Sequence, residues 1–293
     1  MSTIQYHIFD SGLPGDTIAI FGGIHGNETS GIQAALRIVE DIREGNSILA
    51  KGRLIVIPLC NPLAHSIGVR YVEKNLNRCF MRTLPANPCQ EELYAHEIMD
   101  ILETYQVSKL MDLHSTSGPS IPFMFVEEKN LDFAQKLGIS HVIIGWDRLG
   151  DGVLSGDSEG YMNSFPGRMG FTFEAGNHNN PEGAKNAYQM ALNFLVANMM
   201  IDMRYSHTIG REKMIIKMKD VYILEGTSFE YAIPSIENFS LIAPGSGLIG
   251  YSVDEGGTRK PIFATPGDIL VMPKAFDIHQ GEEVFFLGES IPS

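Results

Sequence analysis

The chain has 293 residues with 35 acidic against 22 basic side chains, a formal charge of −13, and 44% hydrophobic and 19% charged residues. That balance belongs to a folded chain, not a disordered one, and the acidic excess argues against nucleic acid, whose binding rests on clustered cations. No run reaches the roughly 18 apolar residues of a membrane span, and the start MSTIQYHIFDSG lacks a secretory pattern, so a cytoplasmic protein without a membrane partner is expected.

Taken in order, TIAIFGGI (17–24) reads as a buried strand ending in glycine. Ile32, Ala35, Leu36, Val39 and Ile42 then recur at helical spacing, with Gly45 placed to end the helix. LIVIPL (54–59) is a second strand stopped by Asn61-Pro62, and residues 90–105 carry helical periodicity through Leu93, Ile98, Ile101 and Leu102. KLMDLH (109–114), FMFVE (123–127), a helix over 132–137, HVIIGW (141–146) and GFTFE (170–174) continue the alternation. Asn180-Pro181-Glu182 supplies an N-cap, a first-turn proline and a first-turn acid for a helix carrying Ala187, Met190, Ala191, Phe194 and Leu195. The order predicts an α/β fold, a sheet covered by helices on both faces. After about Arg204 only short strand-like runs follow, MIIKM, VYIL, FSLI, LIGYSV, PIFA, DILVMP and EEVFFLG, so residues 1–204 are expected to form one domain and 205–293 a smaller β domain. The three cysteines, Cys60, Cys79 and Cys89, lack a C-x-x-C spacing and read as ordinary thiols.

Four constellations carry chemistry. In GGIHGNE (22–28), His25 and Glu28 stand three apart, so one turn of helix would let an imidazole and a carboxylate share a zinc ion. In MDLHSTSG (111–118), His114 ends a strand, and strand ends on the carboxyl side of an α/β sheet form the ligand crevice, where His114 can meet His25. Asp112 is placed to orient a liganding imidazole. Between Asn61 and Arg82 stand Arg70, Lys74, Arg78 and Arg82 against Glu73, a local charge of +3, which marks a place for an anion gripped by Arg70 or Arg78 with Asn77 as a neutral donor. In GFTFEAGNH (170–178), Glu174 ends an apolar strand and is the candidate general base beside a zinc-bound water.

The set GxxHGNE, NPxAxxxxxRY followed by NLNR, DLH and a late FEAG resembles the succinylglutamate desuccinylase and aspartoacylase family, relatives of the zinc carboxypeptidases. The resemblance runs over roughly residues 15–200 in motif order, and four motifs in the right order are specific where one alone is weak. It implies a zinc carboxypeptidase-like mixed sheet flanked by helices with a smaller C-terminal β domain, and one zinc ion held by His25, Glu28 and His114. It also implies Glu174 as proton shuttle and Arg70, Asn77 and Arg78 as substrate contacts, Arg70 on a substrate carboxylate and Arg78 and Asn77 nearer the scissile carbonyl. The expected activity is amide hydrolysis of a small N-acyl amino acid with a free carboxylate, and a homo-oligomer is left open. Two departures stand out: Asn75 occupies a position where the family commonly has aspartate, and Ser164 stands ten residues before Glu174, where aspartoacylases have arginine.

A lone histidine is usually structural, and His7, His65, His96, His141, His207 and His279 are read so; motif context reverses that for His25 and His114. Arg168, His178 and Tyr251 are left open as further site residues. Two other readings compete with the deacylase: a zinc carboxypeptidase acting on short peptides, and a non-catalytic protein with a structural metal. A structural zinc is normally closed by four protein ligands, whereas the motifs name three, which favours the enzyme.

Overall fold

A computed structural model describes residues 3–46, 48–149, 155–233, 236–245, 247–274 and 278–292. Its centre is a mixed sheet, as the family resemblance implies. Strands β1 (His7–Asp10), β2 (Thr17–Gly22), β3 (Arg53–Ile57), β4 (Lys109–Thr116), β5 (Phe123–Phe125), β6 (Ile139–Ile144) and β7 (Met169–Asn177) are joined by β8 (Ile209–Ile223), β12 (Ile269–Val271) and β13 (Glu283–Ile291). The ten strands lie in the order β1-β3-β2-β4-β7-β5-β6-β8-β13-β12. β3, β2, β4 and β7 run parallel, whereas β1 is antiparallel to β3 and β5 is antiparallel to β7.

Side chains alternate across each strand, and both faces are apolar because both are covered. Ile18, Ile20, Met111, Leu113, Phe171 and Phe173 meet α1 (Thr29–Arg43) and α6 (Glu182–Ala197) through Ala35, Ile38, Ala187 and Phe194. Ala19, Phe21, Ile55, Ile57 and Leu110 face the other way onto α3 (Gln90–Thr104) and α5 (Ser158–Asn163) through Tyr94, Ile98, Leu102 and Met162. Asp112 and His114 share the parity of Leu110, so they point to the α3 and α5 side.

Several details differ from the periodicity. Leu36, counted on the apolar face of α1, is exposed. Asn180 lies one residue outside the cap position of α6, though its side-chain oxygen still accepts from Glu182 N at 3.0 Å. A short helix, α2 (Pro62–Ser66), follows β3, and the helix over 132–137 is α4 (Leu131–Ala134) followed by a 3-10 turn. The runs MIIKM and VYIL fall in one long strand, β8, whose first part lies parallel to β6 and whose main run is antiparallel to β13. The main sheet therefore continues past residue 204. FSLI forms only an isolated bridge, Leu241 to Ile269. A separate three-stranded sheet is made by β9 (Ser228–Tyr231), β10 (Leu248–Val253) and β11 (Arg259–Phe263). No helix among the described residues is long and apolar enough to cross a membrane.

Candidate active site

Three carboxyl ends of the parallel strands meet at one place. β2 leads into the loop carrying His25, β4 carries His114 and Ser115 just before its end, and Glu174 lies on β7 as the direct lateral partner of His114. The His25 loop needs glycine, because a Cβ on Gly26 would lie 2.3 Å from backbone atoms of Ala64 and His65. α1 presses as tightly on β4: a Cβ on Gly31 would meet the Leu113 carbonyl oxygen at 2.2 Å. That close crossing carries Glu28, the N-cap residue of α1, to the side of His114. The turn expected from the H-x-x-E spacing is present, with Glu28 N donating to His25 O at 3.2 Å.

The three side chains converge. His25 Nδ1 is 2.8 Å from Glu28 Oε1, His114 Nδ1 is 3.1 Å from Glu28 Oε2, and the two Nδ1 atoms are 3.2 Å apart. One ligand atom from each of the three residues lies within 4.8 Å of the others, and all three residues are buried. An oxygen stands behind each outer ring nitrogen: Asn75 Oδ1 lies 3.0 Å from His25 Nε2, and Asp112 Oδ2 lies 3.1 Å from His114 Nε2, an ion-pair contact without hydrogen-bond geometry. A hydrogen on each outer nitrogen leaves both Nδ1 lone pairs aimed at the common centre. Two imidazole lone pairs and a carboxylate facing one point, away from water, fit a divalent cation of the zinc type. Ser115 N donates to Glu28 Oε2 at 2.9 Å and fixes the carboxylate.

For His25 and Glu28 the electrostatics fit the same reading, a neutral imidazole beside an ionised carboxylate. Burial, followed by the nearby Arg70 guanidinium, pushes His25 down to about 4. Burial alone would raise Glu28, yet His25 and His114 pull its carboxyl well below the usual range. His114 goes the other way: burial opposes its charged form, but Asp112 and Glu28 on either side raise it well above 6.5. Glu174, 6% exposed, is pushed up to about 8 by burial and then by the Glu28 charge. Its Oε2 has no hydrogen-bond partner.

Arg70 is brought to the site, its Nη1 2.8 Å from Glu28 Oε1, with about half of its side chain (49%) open to solvent. Arg78 Nη1 donates to Asn77 O at 2.7 Å, and its Nη2 lies 3.7 Å from Glu283 Oε1 on β13. Asn77 Oδ1 accepts from Ser158 N at 3.1 Å, so its carbonyl oxygen is engaged by α5. Arg168 stacks over Phe165 at 4.5 Å, and Tyr251 lies under Arg259 in the small sheet. His178 donates its N–H to Thr116 O at 3.0 Å, two residues past His114, with a buried Nδ1 that has no partner. A cavity of about 390 Å³ is lined by Phe80, Trp146, Asp157, Glu159, Tyr161 and Ser164. Ser164, at the position of the aspartoacylase arginine, thus opens onto an aromatic and acidic wall.

Sequence reasoning missed the supports. His65 Nδ1 meets Gly26 O at 2.8 Å and braces the His25 loop, although the histidine reads as structural. Ser158 Oγ donates to Asp112 Oδ2 at 2.5 Å from a helix of six residues, too short for periodicity to reveal. Asn75, noted only as a departure from aspartate, is the partner of His25.

Residues 14–198 match the model of the succinylglutamate desuccinylase/aspartoacylase catalytic domain. Over 108 residues the chain is 33% identical to a probable aspartoacylase of Nostoc sp., covering 34% of this chain and 35% of that one. It is 31% identical over 113 residues to an N-acyl-aromatic-L-amino acid amidohydrolase (carboxylate-forming) of Xenopus laevis, covering 36% of each. The chain thus spans about a third of the length of these curated relatives (35% and 36%). The product-bound ectoine utilization protein EutE (DoeB) of Ruegeria pomeroyi shares the fold, with a TM-score of 0.75, 18% identity, and coverage of 98% of this chain and 88% of that one. On the catalytic-domain match, which takes in every motif from His25 to Glu174, the chain belongs to the succinylglutamate desuccinylase/aspartoacylase family.

Proposed function

We propose that the chain is a zinc-dependent amidohydrolase that cleaves the amide bond of a small N-acyl amino acid bearing a free carboxylate. The observation that carries this is the convergence of His25 Nδ1, Glu28 and His114 Nδ1 on one point, with Glu174 in lateral register beside His114. Held by those three residues, one zinc ion would supply a water of lowered pKa and polarise the scissile carbonyl. Relatives named as aspartoacylase and N-acyl-aromatic-L-amino acid amidohydrolase support the reaction class.

Each residue of this chain has a distinct task. Glu174 accepts the proton of the attacking water and delivers it to the nitrogen of the departing amine. Its buried carboxyl, with one oxygen unpartnered, suits a group that must change protonation during turnover. Asp112 and Asn75 hold the two imidazoles in the tautomer that presents Nδ1. Arg70, half open beside Glu28, pairs with the substrate carboxylate through its free N–H groups. Arg78 adds positive charge for the developing oxyanion, positioned by Glu283 and Asn77. The catalytic unit is assigned to residues 1–204, and residues 205–293 reach it through Glu283.

The test is hydrolysis of a panel of N-acetyl, N-succinyl and N-aromatic acyl amino acids, with short peptides included, by protein of measured zinc content. Release of the free amino acid in proportion to bound zinc supports the reading. Turnover confined to peptides would move the chain to a carboxypeptidase.

A further inference from the structure

Glu91 is a fully buried carboxylate (0% exposed) outside every motif discussed so far. It stands in the first turn of α3, where the helix N-terminus favours negative charge. Its Oε1 accepts two backbone N–H groups, from Val72 at 2.7 Å and from Glu73 at 3.3 Å, while Oε2 has no hydrogen-bond partner. Burying a carboxylate is costly unless hydrogen bonds satisfy it, so the chain holds Glu91 inside for a reason. The two amides belong to the segment immediately after Arg70 and Tyr71. On its other side Arg70 is tied down as well, its carbonyl accepting from Gly26 N at 3.1 Å in the His25 loop. The backbone of Arg70 is therefore clamped between the metal-binding loop and the start of α3. Lys74 and Glu92 add an outer contact at 2.7 Å, but that pair is partly exposed and contributes little.

We infer that Glu91 is a positioning residue that sets Arg70 for the substrate carboxylate by holding Val72 and Glu73 against α3; this rests on Arg70 reading that carboxylate. The metal centre touches Arg70 through Gly26 N and Glu28 but has further supports of its own. Asn75, the partner of His25, is fixed by its own turn through Asn77 N at 2.9 Å, and the following residues are fixed by Phe80 N on Gly156 O at 2.9 Å and Ser158 N on Asn77. Loss of the clamp thus releases Arg70, while His65 on Gly26 O at 2.8 Å and Ser115 N on Glu28 Oε2 at 2.9 Å keep the ligands in place.

Reach, not charge, is the property that matters, and two substitutions separate them. Glu91→Gln keeps the Oε1 acceptor at full length, whereas Glu91→Asp keeps the charge and withdraws it by one methylene. With the best substrate of the N-acyl amino acid panel, Glu91→Asp is expected to raise KM at least about tenfold, with kcat within about threefold and full zinc content. Glu91→Gln should stay within about threefold of wild type in both constants. Adding Glu91→Asp to Arg70→Ala should raise KM no further, because both act through one side chain. Unchanged KM in Glu91→Asp, a fall in kcat alone, or additivity with Arg70→Ala would overturn the assignment. Amide hydrogen exchange at Val72 and Glu73 tests the clamp without turnover: faster exchange in Glu91→Asp than in Glu91→Gln supports it, and equal protection contradicts it. If the wild type hydrolysed nothing in the panel, the functional reading would fail while the exchange result still judged the clamp.

Discussion

Glu174→Gln separates chemistry from fold at the centre of the site. The amide has nearly the size of the carboxyl but accepts no proton at neutral pH. Removing a general base typically lowers kcat by about 10²–10⁴-fold, or roughly 3–5 kcal/mol of barrier. The same change should act oppositely on metal-free stability. With its carboxyl pushed up to about 8, Glu174 holds its proton in the folded chain at pH values where the unfolded chain, near 4.5, has lost it. Over that window the native state binds more protons, so stability falls as pH rises, by up to about 1.4 kcal/mol per pH unit for one group. Glutamine stays neutral and removes that slope. Urea melts of chelator-treated protein at pH 5, 7 and 9, alongside kcat of zinc-loaded protein, read both effects. A Glu174→Gln variant with near-normal kcat at full zinc content would take Glu174 out of the mechanism, and a pH slope equal to wild type would deny its raised pKa.

Alanine at His25, Glu28 or His114 should lower bound zinc in each case, since each removes one of three ligands; zinc analysis after gel filtration decides it, and stoichiometric zinc in all three would refute the assignment. Asp112→Asn should weaken zinc binding by about 10–100-fold by loosening the support behind His114, measured against a competing chelator. Arg70→Ala should lower kcat/KM at least about tenfold and flatten the preference for a free acid over its methyl amide. An unaltered preference would assign carboxylate recognition to another residue.

What could be read from the sequence depended on how local its cause was. Ile18, Ala19, Ile20 and Phe21 are fully buried because both sheet faces are covered, and a continuous apolar run announces that situation. β1 gave no such signal: it is an edge strand in which half-buried and exposed residues alternate. His25 and Glu28 were legible through their spacing within one turn, and His114 and Glu174 through the strand ends that place them. Their supports were not, because Asn75, Ser158 and Glu283 reach the site only through tertiary packing. Arg78 was legible from its place in the motif, while the contact of its guanidinium with Glu283 on β13 is a product of tertiary packing. The expected small β domain likewise concealed that β8 and β13 extend the main sheet, since short β-branched runs do not reveal which strand they will pair with.

The central claim is that His25, Glu28 and His114 hold one catalytic zinc ion in an amide-cleaving site. Its most direct test is to strip the purified protein with a chelator and titrate zinc back while following release of free amino acid from the best N-acyl amino acid of the panel. The account predicts that activity vanishes on stripping and returns linearly to a plateau at about one zinc per chain. Full hydrolysis by the stripped protein, or no hydrolysis of any N-acyl amino acid by protein carrying one zinc per chain, would contradict it.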